Sequence, residues 1–586
     1  MKRRVLSLLL ASVMTVSAVA CTSNGGGSSK PADTNAGSGD DGGADANAGA
    51  GSEEAEPTTD TSVGDTTGGG QLVDGKFPET RSITVEVYDR GNDGGSDPTN
   101  NMYTKYIHDG MLNDYNVDVQ FVAVPRWTEV DELNNLLAAG TAPDICLTYD
   151  YATIQTYANM GGVTDLAPLV QDNAALLPNL FNWLTDTNVY WDKDPDTGSL
   201  WAIEGKRATT NRINTFIRKD WLEKLNLEEP TTTQEFYDTI VAFRDNADTL
   251  LGKDADKMIP YAISYDVGWR AATLIESFID PDISTYDFYV NGFDDRKLTE
   301  PGTKDALKLL NQWYHEDLLW KDFALYSNGD TTEDDYMKAG CVGAFTHNWD
   351  YPFRNGDDSI NANLKRTVGE DAKFVAIDPF TDKNGGHTKY VTSTAGDRKI
   401  FFPTTNDEPL ASLLYLEWIS MPEHIQYLQL GDEGVTCNKL DDGAYESVAA
   451  TGDPIMNSGF NIDYTITCNG LNLVDPEATA KSIGHSYAGI EPEIVERANE
   501  IAQTDAIQET HVNVGVIEAE DGMGTALADK RDILYDNVIL ADPADFDAQW
   551  DSYMSDYLSS GGQDIIDERA EKWAAKYGDS KSIPEK

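Results

Sequence analysis

The sequence is poor in basic residues. Its 586 residues include 44 lysines and arginines against 100 aspartates and glutamates, which gives a formal net charge of -56. A field of this sign repels phosphate backbones and anionic lipid surfaces, so we expect no nucleic-acid partner. The acid excess does not indicate a cationic substrate, because dispersed surface carboxylates commonly serve solubility.

Known catalytic motifs are also lacking. The sequence contains no H-E-x-x-H, no G-x-S-x-G and no G-K-[ST] motif. His315 and Glu316 begin like a metalloprotease motif, but the second histidine is missing. Carboxylate pairs suited to glycoside hydrolysis can be drawn anywhere among so many acids, so they are uninformative. We expect no catalytic residues, with an anchored polysaccharide lyase or hydrolase as the alternative.

Cysteines are few and widely spaced. After Cys21 come Cys146, Cys341, Cys437 and Cys468. This spacing excludes a zinc knuckle and a small disulfide scaffold. Cys437 and Cys468 could pair in an exported protein or remain buried free thiols, and the sequence leaves both open.

The N-terminus predicts export. Residues 2–4 are basic, and the apolar run Val5–Ala20 is too short to span a bilayer. We predict a signal peptide at 1–20. Cys21 directly after the cut resembles a bacterial lipobox, although Ala18 stands where leucine is usual. We expect a lipid on Cys21 to hold the protein on the outer face of the cytoplasmic membrane.

A tether follows at 21–75. This stretch is rich in Gly, Ser and Asp and has almost no large apolar residues. It cannot bury enough surface to fold, so we predict a flexible linker. The folded body is predicted at 76–586.

The body begins with a β-α-β pattern. Apolar residues alternate over Ile83–Val87 and again over Val117–Ala123, with a helical region between them. A second helix closes at Gly140, and a third strand follows at Ile145–Thr148. These elements predict a parallel sheet.

Ligands of open α/β sheets bind beyond the carboxyl ends of the strands. This rule selects Asp89, Arg90 and Asn92 after the first strand, and Tyr149 and Asp150 after the third. The alternative is that these residues serve only as turn and cap residues.

Residues 216–245 predict two helices joined at Pro230, which cannot continue the first helix. Thr232 and Glu235 have the spacing of a capping box at the start of the second helix. An apolar stripe follows on that helix at Phe236, Ile240 and Phe243.

Residues 217–222, 224–227 and 230–236 together resemble the signature segment of family 1 extracellular solute-binding proteins of ABC importers, oligosaccharide type. The segments Val124–Trp127 and Leu136–Ile145 are also similar to this family. The resemblance extends over most of the chain from about Arg81 to its end.

The resemblance implies a type II periplasmic-binding-protein-like α/β fold, with two lobes, an interlobe cleft and multiple crossovers. We place lobe 1 at about 80–200 and 395–470, and lobe 2 at about 205–390 and 475–586. It also implies a monomer that captures an oligosaccharide, delivers it to ABC permease subunits, contacts the membrane only through its lipid and requires no cofactor. A surface glycan adhesin is a further alternative.

An acidic loop is a candidate site for structural Ca²⁺. Asp192, Asp194, Asp196 and Glu204 offer hard oxygen ligands around a turn, and some family members carry calcium here. The spacing departs from the EF-hand pattern, and an Asp/Gly-rich hairpin turn is the alternative.

Aromatic residues are plentiful, with 12 Trp and 27 Tyr. Sugar C–H faces stack on aromatic rings, and sugar hydroxyls bind planar polar groups. Trp269 and Arg270 follow one predicted strand, and Asn348, Trp349 and Asp350 follow another. We predict stacking platforms at Trp269 and Trp349, against the alternative of core packing. Other tryptophans lie on helical stripes and are assigned to the core: Trp221, Trp313, Trp418, Trp550 and Trp573.

Overall fold

A computed structural model describes residues 72–91, 97–208, 213–326, 330–391, 397–448, 461 and 463–583. The predicted signal peptide, Cys21, nearly all of the predicted tether and the candidate Asn92 lie outside the described residues. In these ranges no helix has both the length and the apolar character to cross a bilayer.

The strands of the described chain are β1 (Arg81–Asp89), β2 (Val117–Pro125), β3 (Cys146–Thr148), β4 (Ile203–Glu204), β5 (Lys206–Arg207), β6 (Ile213–Arg218), β7 (Ile259–Ala262), β8 (Val342–Asn348), β9 (Phe374–Ile377), β10 (Lys389–Val391), β11 (Lys399–Phe401), β12 (Cys437–Lys439), β13 (Tyr445–Ser447), β14 (Cys468–Asn469) and β15 (Ala506–Gln508).

The α-helices are α1 (Met102–Tyr115), α2 (Glu129–Ala139), α3 (Tyr151–Asn159), α4 (Leu166–Asn173), α5 (Pro178–Val189), α6 (Lys219–Leu225), α7 (Thr233–Asp245), α8 (Ala247–Leu251), α9 (Val267–Arg270), α10 (Ala272–Ser277), α11 (Thr285–Asn291), α12 (Thr303–His315), α13 (Thr332–Lys338), α14 (Ile360–Thr367), α15 (Pro409–Ile419), α16 (Pro422–Leu430), α17 (Pro476–Ile483), α18 (Pro492–Gln503), α19 (Gly524–Leu540), α20 (Phe546–Tyr557) and α21 (Gln563–Tyr577).

The first sheet begins with the predicted β-α-β unit. β1 and β2 are parallel along their whole length, and α1 crosses between them. Ile145 extends the ladder by bridging Val85 in parallel, just before β3. The sheet then becomes antiparallel, because β11 lies between β3 and β4. The parallel pairing was predicted correctly, whereas β11 comes from far along the chain and was not predicted.

The second sheet has the order β7-β8-β6-β9. β7 and β8 are parallel, and β6 is antiparallel to both of its neighbours. At the centre of this sheet Gly343 leaves no room for a side chain, because a Cβ there would lie 2.6 Å from the Phe243 ring and 2.8 Å from the Pro260 carbonyl oxygen.

Each sheet belongs to its own large hydrophobic core. One core draws its residues from 77–203 and 400–468, and the other from 216–380 and 487–565. The chain therefore passes between the two cores three times. In two of these passages, β5 and β14 run side by side as a parallel pair. The lobe boundaries given above are compatible with this division and stay a prediction.

The signature segment forms β6, α6 and α7. α6 ends at Leu225, and Asn226 takes the left-handed conformation that a helix end favours. The Thr232 hydroxyl accepts the backbone N–H of Glu235 at 3.2 Å, as predicted. The return bond differs from the prediction, because the Glu235 carboxylate accepts from the N–H and hydroxyl of Thr231.

The five tryptophans assigned to helical stripes are all buried in the core, which confirms that prediction. Cys146, Cys341, Cys437 and Cys468 are buried free thiols. Cys437 and Cys468 therefore do not pair in this structure.

Candidate functional site

The carboxyl ends of β1, β2 and β3 bring together two tyrosines and an arginine. The rings of Tyr88 and Tyr149 are nearly parallel, with centroids 6.3 Å apart. The guanidinium carbon of Arg126 lies 5.0 Å from the Tyr88 centroid and 4.5 Å from the Tyr149 centroid. Trp127 completes the group, with its ring 5.6 Å from the same carbon. We call Tyr88, Arg126, Trp127 and Tyr149 the Arg126 cluster.

The position of Arg126 is fixed by Glu129 at the start of α2. Nη1 of Arg126 donates to Glu129 Oε2 at 2.8 Å. The other carboxylate oxygen of Glu129 accepts from the Thr148 hydroxyl at 3.1 Å and the Tyr149 N–H at 3.2 Å. One buried carboxylate thus joins the ends of β2 and β3, and it holds the guanidinium group against the tyrosine rings.

Trp127 is the outward-facing member of the cluster. Its exposed fraction is 59%. Among the large exposed hydrophobic residues of the described chain, no other is aromatic. A solvent-facing indole beside a fixed guanidinium group offers a stacking surface next to hydrogen-bond donors, which is the combination that a sugar ring requires.

Two more arginines lie behind the cluster. Arg90 binds Asp463 through Nε and Nη2, the shorter bond being 2.8 Å, and its guanidinium carbon lies 5.9 Å from the Tyr88 centroid. Arg398 donates from Nε to the Tyr149 hydroxyl at 3.0 Å. That hydroxyl also accepts from the Asn469 amide at 3.2 Å. Since Asn469 belongs to β14, the cluster is bonded to a segment that crosses between the cores.

Glu86 lies beneath this edge of the sheet. Burial raises the pKa of its carboxyl well above the usual range. One of its oxygens accepts the Leu147 N–H at 2.9 Å. The neutral form of Glu86 is thus favoured relative to that of an exposed carboxyl, because burial penalises the charged form.

The five candidates after β1 and β3 have different positions. Arg90 and Tyr149 lie at the cluster. Asp89 accepts the N–H of Gly91 at 2.8 Å, and Asp150 caps α3 by accepting the Ala152 N–H at 3.1 Å. These two carboxylates serve the turn and cap that were the stated alternative. Asn92 lies outside the described residues.

The sequence interpretation missed Arg126 and Trp127. Both follow β2 directly, in the segment that resembles the solute-binding family. The rule on strand ends was applied to the first and third strands and not to the second. Applied to β2 as well, it would have selected both residues.

At the second sheet, Trp269 and Arg270 end the short helix α9. Trp269 is half-buried, and the Arg296 guanidinium carbon lies 5.1 Å from its ring centroid. Arg270 is only 1% exposed, forms an ion pair with Glu333 and donates from Nε to the Thr346 carbonyl at 2.8 Å. Arg270 is thus part of the packing beneath the surface.

The residues at the end of β8 are also divided. Trp349 is half-buried and lies edge-on to Tyr487, with ring centroids 6.4 Å apart. The half-buried Asn348 side chain lies beside Arg354. Asp350 is buried, pairs with Arg354 and accepts the Tyr487 hydroxyl. Trp349 and Asn348 are therefore nearer to solvent than Asp350.

The four acidic loop residues are not brought to one point. Asp194 accepts the N–H groups of Asp196 and Thr197, both at 2.8 Å, as a turn residue does. Asp196 is exposed. Within the described ranges, no group of three or more His, Cys, Asp or Glu side chains is placed to hold a metal ion. The arrangement does not fit a calcium site built from all four residues.

Asp192 and Glu204 do interact. Burial raises the pKa of Asp192 to about 6 and that of Glu204 well above its usual range. Lys399 supplies the compensating charge, with Nζ 2.9 Å from Glu204 Oε1. Two carboxyls and an ammonium group thus form a buried charge cluster beside the loop.

Calcium binding at this loop stays a prediction that thermal unfolding can test. If the loop binds calcium in spite of this arrangement, a chelator lowers the unfolding midpoint of the purified chain and added Ca²⁺ restores it, because a bound ion stabilises the native state by mass action. The Asp192→Asn variant should lose most of this difference. An identical midpoint with chelator and with Ca²⁺ contradicts the prediction.

Two α/β cores joined by three crossing segments define a periplasmic-binding-protein-like fold, which solved structures of similar fold share. Residues 107–439 match the family model described as bacterial extracellular solute-binding protein. Because the match covers more than half of the chain, the chain belongs to this family, whose description places its members outside the cytoplasm.

The chain has a curated relative in the polygalacturonan/rhamnogalacturonan-binding protein YtcQ of Bacillus subtilis (strain 168). The two are 24% identical over 355 residues, which cover 56% of this chain and 63% of the relative. The chain thus spans a little under two thirds of the length of the curated relative it matches.

Solved structures of similar fold include two carbohydrate-binding proteins. The alginate-binding protein AlgQ2 without calcium ion is similar with a TM-score of 0.59 and 16% identity, covering 85% of this chain and 98% of that one. FusA of S. pneumoniae in complex with kestose gives a TM-score of 0.59 and 14% identity, with coverages of 85% and 100%. Identities this low show a shared fold alone. The matched family and these neighbours are binding proteins.

Proposed function

We propose that the chain is the substrate-binding lipoprotein of an ABC importer, which captures an oligosaccharide in the cleft between its lobes and delivers it to a permease. The observation that carries the proposal is the Arg126 cluster. It places an exposed indole, two tyrosine rings and a fixed guanidinium group beyond the carboxyl ends of three strands, where α/β proteins bind ligands.

The comparisons support a carbohydrate ligand. YtcQ is named for binding two polysaccharides, and the FusA structure contains kestose. On the other lobe we assign Trp269, Trp349 and Asn348 to the ligand surface, since these candidates are half-buried. In this proposal the protein performs no reaction, and nucleotide hydrolysis belongs to separate subunits.

Binding is coupled to lobe closure through the crossing segments. A ligand that contacts both lobes favours the closed state by its additional contacts there. The Tyr149 hydroxyl accepts from Asn469 of β14 at 3.2 Å. A ligand that contacts Tyr149 therefore acts on a side chain already bonded to the region that must bend.

We also assign to this function the features predicted for the N-terminus. A lipid on Cys21 and the tether at 21–75 keep a monomeric binding protein next to the permease. The lipid is its only membrane contact.

A binding screen tests this function. The chain from Thr22 onward is titrated by calorimetry with neutral and acidic oligosaccharides, and binding should also raise the unfolding midpoint. Trp269→Ala and Trp349→Ala should each weaken the binding of a ligand found in this way about tenfold. A panel without any binding contradicts the proposed function, and release of shorter sugars during incubation would favour the enzyme alternative.

A further inference from the structure

We infer that the ligand carries a carboxylate, as a uronic-acid oligosaccharide does, and that Arg126 receives it while Trp127 stacks on the same sugar. This inference rests on the proposed function and names the substrate class of that site.

The hydrogen bonding of Arg126 carries the first step. One nitrogen of its guanidinium group, Nη1, donates a hydrogen bond to Glu129. Among the described residues, Nε and Nη2 have no hydrogen-bond acceptor, although the side chain is only 24% exposed. These two nitrogens form one edge of the guanidinium plane, with two parallel N–H bonds. Such an edge matches the two oxygens of a carboxylate, which a single sugar hydroxyl does not.

The rigidity of Arg126 carries the second step. Three aromatic rings surround the guanidinium group, each within 6 Å of its central carbon. Glu129 is 5% exposed and is itself held by donors from β3. Because the arginine side chain is already fixed, binding a carboxylate loses little of the side-chain entropy that ordering a free arginine would cost.

The local charge carries the third step. Arg90, Arg126 and Arg398 share the carboxylates of Asp463 and Glu129. Arg126 and Arg398 thus lie close enough for their positive charges to act on each other, in a chain whose net charge is -56. The acids at the neighbouring strand ends, Asp89 and Asp150, accept backbone N–H groups of their own turns.

Matched ligands test the inference. The chain from Thr22 onward is titrated with trisaccharides of galacturonate, guluronate and glucuronate, each with its methyl ester, and with neutral trisaccharides. The ester keeps the ring and removes the charge. We expect at least one acid to bind tenfold or more tightly than its ester, and we expect rising salt to weaken the binding of the acid only.

Two variants locate the effect. Arg126→Gln should weaken binding of the acid by about 10- to 100-fold and leave the ester nearly unchanged, because a hydrogen-bonded pair of charges is lost. Arg366→Gln, at an exposed arginine on α14, is the matched control and should change neither. A circular dichroism spectrum and unfolding midpoint check that each variant folds.

The outcomes distinguish failure of the carboxylate inference from failure of the proposed function. If an ester or a neutral sugar binds as well as any acid, the inference is overturned and the proposed function stands. If the acid is preferred but Arg126→Gln leaves that preference intact, the assignment to Arg126 is overturned. If no sugar binds, the proposed function fails and the inference fails with it.

Discussion

The Arg270→Met variant should unfold roughly 3–8 °C below the unchanged chain, because it leaves a buried carboxylate without its partner. Arg270 and Glu333 are 1% and 4% exposed, and Arg270 also donates to the Thr346 carbonyl of β8. Breaking such a pair by removing one partner typically costs about 3–5 kcal/mol. Differential scanning calorimetry measures the midpoint.

A second substitution separates loss of charge pairing from loss of packing. The Arg270→Met, Glu333→Leu double variant removes both charges and should recover most of the midpoint, since an apolar pair of similar volume replaces a buried ion pair at little cost. Arg366→Met is the control, because Arg366 is exposed on α14, which packs on the same hydrophobic core. It should change the midpoint by no more than about 1–2 °C. A double variant less stable than Arg270→Met alone would contradict this account.

The burial of Arg270 could not be predicted from the sequence. Arg270 follows a strand and a tryptophan, which is a reasonable place for a ligand-binding arginine. Its partner Glu333 lies on α13, a separate helix far along the chain. Burial of an arginine depends on such a distant carboxylate, and a local pattern carries no information about it.

Local patterns did predict the parts of the fold that depend on near neighbours. The β1-α1-β2 unit, the end of α2 at Gly140 and the buried stripe of α7 all follow from alternation, helical spacing and capping. The positions of β11 between β3 and β4 and of β6 between β8 and β9 do not. Those pairings join segments from distant parts of the chain, and their order is set by packing of the whole domain.

The candidate site was also predictable only in part from the sequence. Arg90 and Tyr149 were selected by the rule on strand ends, and the structure places both at the Arg126 cluster. Asp89 and Asp150 obey the same rule, but their carboxylates are taken by a turn and a helix cap. Position after a strand therefore identifies the edge where a ligand would bind, and hydrogen bonding decides which side chains remain able to contact it.

The Trp127→Ala variant should bind its oligosaccharide roughly 30-fold more weakly and unfold at the same midpoint as the unchanged chain. With 59% of its surface exposed, the indole contributes little to the core. Tryptophans central to a binding surface commonly contribute about 2 kcal/mol, which corresponds to that change in affinity. Titration calorimetry with the ligand found in the screen measures the loss.

Matched substitutions make this result specific to the ring. Trp127→Phe keeps an aromatic face and should retain most of the affinity, whereas Met160→Ala removes an exposed apolar side chain just beyond the far end of α3 and should change nothing. Unchanged affinity in Trp127→Ala would show that Trp127 does not contact the ligand. The assignment of Arg126 would then depend on the Arg126→Gln titration alone. Because Arg270→Met acts on stability and Trp127→Ala on affinity, the two variants together separate the residues that build this fold from those that meet its ligand.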